Sequence, residues 1–481
     1  MNGVKLLKNN FHKVFLKVLL LFIFITVPLY SLAQKKEDTL NVKKKLIQLG
    51  IRLYPEVEEL KNCKLKKEWF KTETISPEDV NESFSNFDDL SWLEPISHNV
   101  KVFLQGENHY YQVTHHLRNR ILFALNTFDR FSLVLIEQEY SISGYLDYYT
   151  GIKDDNEAEN FYQNVIYDFV NTEELYELLE HLRKWNKIYP EKRIHIGAHD
   201  IEHNYKLTIE KIIVPYFRLI DSTFSINVNE ISIFDSENLI KKLKGLLNKA
   251  KDKNLIGAYP FLTPRYIENV IENLNSYFKS YMYDFNYYRQ KAIVRNMTDP
   301  RFFGRFFTEG KVMIHEGAYH SINQFPFPDG GNFLREGNYL TFEFEPTKSK
   351  TFSIYVRGLT YKIGSMAGIN LNSYLRQGSN YNRIINKFKN AYRKKLVTPE
   401  NYYFFEPLLD QYDKLIFTLA YENNNLPFLI KNIDWDLVLK ESKKISNSIY
   451  NLIRKVKNEL NRYDALIFVP RSQIVYAKRK R

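Results

Sequence analysis

The sequence predicts an α/β protein in which a mostly parallel central sheet is flanked by helices. Short apolar runs alternate with long helical patterns along the chain, which is the pattern of βαβ units. About a hundred mostly helical residues separate the third and fourth apolar runs, too many for a simple crossover, and they indicate a helical insertion. Hydrophobic residues make up 44% of the 481 residues and charged residues 26%, so the chain has ample material for a core.

The predicted strands begin near residue 100 and continue almost to the end of the chain. The first four are Val100–Gln105, Phe131–Ile136, Arg193–Gly197 and Lys311–His315. Two segments with polar and apolar alternation, Tyr339–Phe344 and Thr351–Arg357, predict a strand pair at a sheet edge with one wet face. The last short strand is Ala465–Val469.

Helices are predicted between and around these strands. They cover residues 113–128, 157–188, 376–394 and 436–462, with two charged lead-in helices at 39–56 and 56–72. We therefore divide the chain into a signal peptide at 1–33, a helical lead-in at 34–95 and one α/β domain at 96–481. Within that domain the helical insertion covers about 203–300, and C-terminal strands and helices cover 338–481.

The N-terminus has the three parts of a secretory signal peptide. A lysine-rich segment precedes the apolar run Val18–Tyr30, and Ser31 and Ala33 are the small residues that a signal peptidase reads. The apolar run is shorter than the about 20 residues of a membrane span, so we expect cleavage after Ala33 rather than an uncleaved anchor. The mature protein is then periplasmic or secreted, with no stable membrane insertion.

The excess positive charge is concentrated at the two ends of the chain. The formal net charge is +12, but four lysines lie in the N-terminal segment and Lys478–Arg481 forms a basic tail. The body of the chain is only mildly basic, which argues against a nucleic-acid partner. Cys63 is the single cysteine, which excludes a disulfide within the chain and a cysteine-based zinc cluster.

Acidic and histidine side chains follow each of the first four predicted strands. They are Glu107 and His109 after the first, Glu137 after the second, His199 and Asp200 after the third, and His315, Glu316 and His320 at the fourth. Ligands bind outside the carboxyl ends of strands in open parallel sheets, so we expect these groups to line one cleft. Taken singly, most have an ordinary structural explanation, such as capping a helix or facing solvent.

Such a cluster supports two kinds of chemistry. A histidine base held by a carboxylate can activate water, since imidazole titrates near neutral pH. Histidine and carboxylate ligands can also bind a divalent metal. The sequence has no H-E-x-x-H, no G-x-S-x-G and no phosphate-binding glycine loop, which disfavours a serine hydrolase of the usual type.

The order of these motifs resembles the erythromycin esterase and ChaN-like superfamily. The segment V-F-L-Q-G-E-N-H, followed by a helix and L-V-L-I-E, is similar to that superfamily's opening of strand, Gly-Glu-x-(x)-His, helix, strand and Glu. The resemblance continues at Tyr145–Gly151, Gly197–Asp200, Tyr288–Met297, Val312–His320 and Tyr463–Val469. It covers most of the chain from about residue 97 and is closest overall to erythromycin esterase-like proteins.

The resemblance implies a role for the matching residues. The implied catalytic residues are Glu107, His109, Glu137, His320 and Arg118, with His109 as the general base. The candidate substrate-binding residues are His199, Asp200, Arg289, His315 and Glu316. In the esterases such residues activate water for attack on an ester carbonyl without a metal. We therefore expect a small-molecule substrate and no cofactor.

The sequence departs from the esterase pattern in three places. Asn108 alone separates the Glu and His of the first motif, Gly317–His320 replaces a His-Asn-x-His segment, and Gln290 replaces an aspartate. The shorter first spacing and the twin histidines His115 and His116 look more like ChaN, the haem-uptake branch. Three hypotheses follow: an exported hydrolase of an ester, lactone or amide, a haem- or divalent-metal-binding protein, and a scaffold that keeps the fold without the chemistry.

Overall fold

A computed structural model describes residues 41–108, 111–170, 172–323, 335–362, 390–391, 394, 401–404, 410–431 and 433–473. The chain divides into two compact units, residues 1–56 with 370–409 and residues 57–369 with 410–481. The first unit contains helix α1 at 41–48 and two short antiparallel strands, β1 (Arg52–Leu53) and β9 (Tyr402–Phe404). The second unit holds the large sheet and the candidate site.

The strands of the second unit are β2 (Thr72–Thr74), β3 (Val102–Glu107), β4 (Leu133–Glu139), β5 (His195–Asp200), β6 (Val312–Gly317), β7 (Thr351–Gly358), β8 (Tyr361–Lys362), β10 (Phe428–Ile430), β11 (Ala465–Val469) and β12 (Ser472–Gln473). Its helices are α2 (Val57–Leu60), α3 (Glu94–Asn99), α4 (Gln112–Asp129), α5 (Ser143–Gly151), α6 (Asp155–Phe161), α7 (Glu173–Ile188), α8 (Tyr205–Thr208), α9 (Val214–Arg218), α10 (Ser236–Asp252), α11 (Pro264–Met282), α12 (Phe285–Thr298), α13 (Gly304–Glu309), α14 (Glu336–Phe342), α15 (Gln411–Glu422), α16 (Trp435–Ile445) and α17 (Asn447–Leu460).

Eight strands form one sheet in the order β2-β10-β11-β7-β3-β6-β4-β5. The six strands from β11 to β5 run parallel, and β10 pairs antiparallel with both β11 and β2. Every residue of β3 and β6 is buried. Each of these strands has a neighbouring strand on both sides, and helices cover both faces of a parallel sheet. The predicted α/β class with a mostly parallel sheet is confirmed.

Alternate strand residues point to opposite faces of the sheet, and the two faces pack against different helices. On one face, Met313 of β6 lies in the apolar core that contains Leu117 of α4. On the other face, Ile314 lies in the core that contains Ile293 of α12. We call these the α4 face and the α12 face, and we assign each polar residue of the site to a face by the side chains that it contacts.

The antiparallel end of the sheet has a core of its own. The rings of Phe428 in β10 and Phe468 in β11 stack with their centroids 5.5 Å apart. They pack with Leu415 of α15 and Ile453 of α17. The C-terminal strands and helices are therefore part of the same layered unit as the parallel strands.

The chain between β5 and β6 is helical, as the sequence predicts. It contains helices α8 to α13, and α10 and α11 have 17 and 19 residues. Helix α12 packs against β5, so the insertion contributes side chains to the sheet edge as well as covering it. No helix among the described residues is long and apolar enough to cross a membrane.

The predicted strand at Tyr339–Phe344 is wrong, because residues 336–342 form helix α14. β7 pairs with β3 on one side and with β11 on the other, so no hairpin partner fits beside it. β7 therefore lies inside the sheet and not at an edge. The periodicity of a short apolar segment does not distinguish a strand from two helical turns. Here the segment is a helix, and Leu340 packs into the core of the α12 face.

The predicted lead-in helices are only partly correct. Residues 41–48 are helical, but 56–72 contains only the four-residue helix α2 and the three-residue 3-10 helix Lys67–Trp69. The predicted helix at 436–462 is divided into α16 and α17. The predicted helix at 376–394 lies almost entirely outside the described residues.

Gly106 of β3 allows the turn after β6 to lie directly against the strand. A Cβ atom at this position would lie 2.0 Å from Ser321 Oγ and 3.0 Å from the Cα atom of Ala318. Glycine is the residue that leaves room for such an approach. The hydroxyl of Tyr463 donates to the backbone oxygen of Ala318 at 2.7 Å, so the turn that carries His320 is held from both sides.

Candidate active site

The strands that carry the candidate residues run further than predicted. β3 ends at Glu107, β4 at Glu139, β5 at Asp200 and β6 at Gly317, so most of the polar candidates lie in the last residues of strands, whereas His320 lies in the turn after β6. The strands are parallel neighbours, and their carboxyl ends therefore meet at one edge of the sheet. We call this edge the rim.

Four side chains meet on the α4 face of the rim, and we call them the Glu107 cluster: Glu107, His115, Arg118 and His315. Glu107 Oε2 lies 3.0 Å from His315 Nε2, and both side chains are nearly buried. The rings of His115 and His315 have centroids 5.6 Å apart. Ligand atoms of the carboxylate and the two imidazoles lie within 4.8 Å of one another.

Arg118 determines how His115 is protonated. Arg118 Nη1 lies 3.2 Å from His115 Nδ1, and a guanidinium can only donate, so Nδ1 accepts and the ring proton is on Nε2. Burial lowers the pKa of His115 to about 3; the charge of Glu107 opposes this change and that of Arg118 adds to it. His115 is therefore a neutral imidazole at any physiological pH.

Arg118 is itself fixed by several hydrogen bonds. Its Nε and Nη2 donate to Asn119 Oδ1 at 3.0 and 2.9 Å, and Nη2 donates to the backbone oxygen of Glu174 at 3.1 Å. Burial lowers the pKa of Arg118, while the charge of Glu107 raises it. The guanidinium remains charged, so it is a buried cation beside the Glu107 carboxylate.

A second group lies on the α12 face of the rim, and we call it the Arg289 cluster: Glu137, Asp200, Arg289, His320 and Glu336. Arg289 Nε donates to Asp200 Oδ1 at 2.9 Å, and Nη2 donates to Asp200 Oδ2 at 2.6 Å. Arg289 Nη2 also donates to Glu137 Oε1 at 2.5 Å. This bidentate contact holds the guanidinium in one orientation.

His320 is held between carboxylates. Its Nδ1 lies 2.9 and 3.0 Å from the two oxygens of Glu336, which is buried. Burial would lower the pKa of His320, but the charges of Glu336 and Glu137 raise it to about 9. The contact of 3.1 Å from Arg289 Nη1 to His320 Nε2 suits a neutral ring, but the flanking carboxylates outweigh it and we assign the ring a positive charge.

Asp200 is an ionised carboxylate within this network. His203 Nε2 lies 3.0 Å from Asp200 Oδ2 and adds to the two bonds from Arg289. Burial alone would raise the pKa of Asp200, but Arg289 and His203 hold it well below its usual value. The positive and negative side chains of the Arg289 cluster therefore contact one another, and these contacts fix their positions on this side of the rim.

Gly317 connects the two clusters. Its N–H donates to Glu137 Oε2 at 2.7 Å, and the strand register places it beside Glu107. Neighbouring strands are about 4.8 Å apart, so the clusters flank a single strand end. The side chains of Arg289, Glu137 and His320 are 14%, 18% and 11% exposed, which leaves their tips within reach of a small molecule.

His199 and Glu316 form a pair beneath the rim. His199 Nε2 lies 3.2 Å from Glu316 Oε2, and neither side chain is more than 1% exposed. Burial lowers the pKa of His199 and raises that of Glu316 well above its usual value, so both groups are neutral. These two predicted substrate-binding residues lie too deep to contact a ligand directly, and they support the strand ends instead.

The structure brings the described candidates to one rim but divides them between its two faces. Glu107, Arg118 and His315 lie on the α4 face, and Glu137, Asp200, Arg289 and His320 lie on the α12 face. His109, the implied general base, lies outside the described residues.

Sequence reasoning missed Glu336 and underestimated His115. Glu336 occupies the first turn of α14, where acidic residues are common, but the strand predicted from Tyr339 hid that signal. His115 has no place among the predicted catalytic or substrate-binding residues, although it is three residues from Arg118 on one helix, a spacing that places the two side chains together.

The comparisons with known proteins concern the fold. No protein-family model and no curated protein matches the sequence. A Bacillus cereus protein is similar over 92% of this chain and 99% of its own, with 13% identity and a TM-score of 0.50. Erythromycin esterase EreC, as a mutant in its open conformation, is similar over 84% and 98%, with 11% identity and a TM-score of 0.47. The haem-binding ChaN of Campylobacter jejuni covers 56% and 85%, with 13% identity and a TM-score of 0.23.

The resemblance to the erythromycin esterase and ChaN-like superfamily stays a prediction from the sequence motifs, because the similarity to the Bacillus cereus protein at 13% identity shows the fold alone. At identities of 11 to 13% the similarity shows the fold and assigns no activity to this chain. A functional argument must therefore come from the residues of the rim.

Proposed function

We propose that the chain is a hydrolase that activates water at the rim and cleaves an ester, lactone or amide of a small molecule. The observation that carries the proposal is the contact of 3.0 Å between Glu107 Oε2 and His315 Nε2 at a strand end shared with the Arg289 cluster. A carboxylate and an imidazole in contact form a general-base pair. Arg289 and His320 supply positive charge on the opposite side of the same strand end.

Each cluster has a separate task in this reaction. Water attacks the carbonyl carbon, and its proton passes to the Glu107–His315 pair. The positive groups Arg289 and His320 stabilise the developing oxyanion, because fixed charges in a partly buried site need little reorganisation. His320 then gives a proton to the leaving alkoxide or amine. The raised pKa of His320 means that the ring carries the proton it donates.

The Glu107 cluster favours metal-free chemistry. Its donor set of one carboxylate and two imidazoles has the composition of a metal site. However, Arg118 Nη1 lies 3.2 Å from His115 Nδ1, so the cluster already contains a fixed positive charge that repels a divalent ion. The guanidinium also keeps the His115 proton on Nε2, so neither ring nitrogen presents a free lone pair.

The test is turnover of a panel of activated esters, lactones and amides by the purified protein. Glu107→Gln keeps the size of the side chain, and we expect it to lower kcat by about 10²- to 10⁴-fold, the usual contribution of a general base. It also removes the negative member of a buried charge pair with Arg118, so the melting temperature should fall, and circular dichroism verifies that the variant is folded at the assay temperature. Glu345→Gln is the matched control on an exposed glutamate and should have no effect. Full activity in both Glu107→Gln and His320→Asn, or no turnover by the wild type on any ester, lactone or amide, would contradict the proposal.

The second candidate function is binding of haem or a metal. Exposed aromatic rings at the junction of α11 and α12 motivate it, since Tyr281, Tyr283, Phe285 and Tyr287 are all at least 36% exposed. Phe285 also packs against His203 at 6.1 Å between ring centroids, close to the Arg289 cluster. Haem titration that gives no Soret shift would reject haem binding, and it would leave the hydrolase proposal standing.

Export is part of the proposal. It is supported by the lysine-rich N-terminal segment, the apolar run Val18–Tyr30 and the small residues Ser31 and Ala33. Expression of the full chain in a bacterium should yield a product that begins at Gln34 in the periplasm or the medium. Mass spectrometry of the intact product checks this, and a cell-associated chain that retains residues 1–33 would contradict it.

A further inference from the structure

A second group of metal-ligating side chains lies close to α4 and outside both clusters of the rim. Ligand atoms of Asp79, His116 and Glu177 lie within 4.8 Å of one another. His181 Nε2 lies 3.3 Å from Asp79 Oδ2, so a fourth donor is within reach. These residues come from three separate parts of the chain: the segment after β2, the start of α4, and α7. We call them the Asp79 cluster.

His116 presents a lone pair to this cluster. Its Nδ1 lies 3.1 Å from the backbone oxygen of Pro77, which can only accept a hydrogen bond. The ring proton is therefore on Nδ1, and Nε2 keeps the lone pair that a metal needs. Histidine ligands in proteins are typically oriented in this way, by donation of the other ring N–H to a carbonyl or carboxylate.

The two carboxylates supply negative charge, which the buried guanidinium of Arg118 offsets only through space. Asp79 is fixed by Asn119 Nδ2, which lies 3.0 Å from each of its oxygens, and by the N–H of Val80 at 2.7 Å. In the described part of the chain, neither Asp79 nor Glu177 forms an ion pair with a lysine or arginine. Glu177 and His181 are four residues apart on α7, so both face the same neighbour.

We propose that Asp79, His116 and Glu177, with His181 as the fourth ligand, bind a divalent transition-metal ion, for which Zn²⁺ is the best fit. Mixed imidazole and carboxylate donors suit Zn²⁺, whereas Ca²⁺ and Mg²⁺ prefer oxygen ligands throughout. Zinc bonds of about 2 Å place tetrahedral ligand atoms about 3.3 Å apart, so small side-chain rotations close the cluster around the ion.

The site has a structural consequence that is independent of hydrolysis. Asp79 belongs to the irregular segment between β2 and α3, and the other ligands belong to two long helices. A metal ion would therefore fasten that segment to α4 and α7. Binding should raise the melting temperature, because an ion that binds only the folded chain stabilises it by mass action.

The test is a titration of chelator-treated, purified protein with Zn²⁺ by calorimetry, and with Co²⁺ by visible absorption. We expect one equivalent to bind, a tetrahedral Co²⁺ spectrum, and a higher melting temperature. His116→Gln and Glu177→Gln, which keep side-chain bulk, should each weaken binding by at least about tenfold, as loss of a metal contact does. Circular dichroism verifies that both variants are folded.

His98→Ala is the matched control. His98 Nδ1 also contacts a carboxylate, at 3.0 Å from Asp129 Oδ2, but Lys311 Nζ lies 2.7 Å from the same oxygen and balances its charge. This control should bind Zn²⁺ like the wild type. Wild-type binding no tighter than that of the His116→Gln variant would overturn the proposal. So would loss of the ion on His115→Gln alone, because that result would place the metal in the Glu107 cluster.

Discussion

His115 and His116 are neighbours in the sequence and opposites in their surroundings. Both lie in the first turns of α4, and successive helix residues point about 100° apart, so each ring meets a different part of the molecule. His115 accepts a hydrogen bond from the Arg118 guanidinium at Nδ1. His116 donates from Nδ1 to the backbone oxygen of Pro77. The ring proton is therefore on Nε2 in His115 and on Nδ1 in His116, so the two imidazoles are opposite tautomers.

The difference shows that a list of ligand-type residues does not define a metal site. The Glu107 cluster and the Asp79 cluster both contain carboxylate and imidazole groups within 4.8 Å. The first includes a buried guanidinium in direct contact with His115, whereas the two carboxylates of the second form no ion pair with a lysine or arginine among the described residues. Because charge interactions are strong in a partly buried site, the first suits proton transfer and the second suits a divalent cation.

The largest effect is expected from Arg118→Met. The substitution removes the buried cation beside Glu107, and loss of one member of a buried charge pair costs about 3–5 kcal/mol of unfolding free energy. It also frees His115 Nδ1, so the number of Zn²⁺ ions bound should rise from one to two while ester turnover falls. Urea denaturation and calorimetric titration measure both effects. If the variant binds no additional metal, Arg118 does not separate the two clusters.

A smaller effect is expected for the pH dependence of stability, which should differ between variants of His115 and His116. The unfolded chain protonates His115 near pH 6.5, but the folded protein resists protonation down to about pH 3. The unfolded state thus binds more protons in that window, and stability falls as the pH drops, by at most about 1.4 kcal/mol per pH unit from this group. His115→Gln should reduce the slope of unfolding free energy against pH, whereas His116→Gln should leave it in place. Equal slopes in both variants would contradict the assignment.

The smallest effect is expected from Asn119→Ala, which removes the residue that touches both clusters. Asn119 accepts from Arg118 and donates to Asp79. We expect a loss of about 1–2 kcal/mol in stability and a tenfold weaker Zn²⁺ affinity, about the size of an outer-contact effect. Asn126→Ala is the matched control, because Asn126 makes only structural bonds to Phe131 and Lys192 and should lose stability alone. Unchanged Zn²⁺ affinity in Asn119→Ala would rule out this coupling.

The sequence predicts the sheet well, because burial of parallel strands leaves a direct signal. The run from Val312 to Ile314 is continuously apolar and is fully buried in β6. The polar residues that follow it lie at the rim for the same topological reason. The strand at Ala465–Val469 is confirmed with its predicted bounds.

The contacts within the site could not be predicted from local patterns. Arg289 lies on a helix of the insertion and binds Asp200 and Glu137, which are 89 and 152 residues away. Glu336 was missed because the position of α14 depends on β7 lying inside the sheet, which no local alternation reveals. The division of the candidates between two faces follows from strand register, and register is set by the assembled sheet.

Gly106 has a consequence for how the rim is kept in shape. The turn that carries His320 rests in a space that a single methyl group would fill, at 2.0 Å from Ser321 Oγ. The spacing between the two faces of the rim is therefore set by steric fit and not only by charge. A Gly106→Ala substitution would push the turn outward and separate the acid from the base while every ionisable group stayed in the protein, which makes this apolar position as decisive for the proposed reaction as any of the histidines.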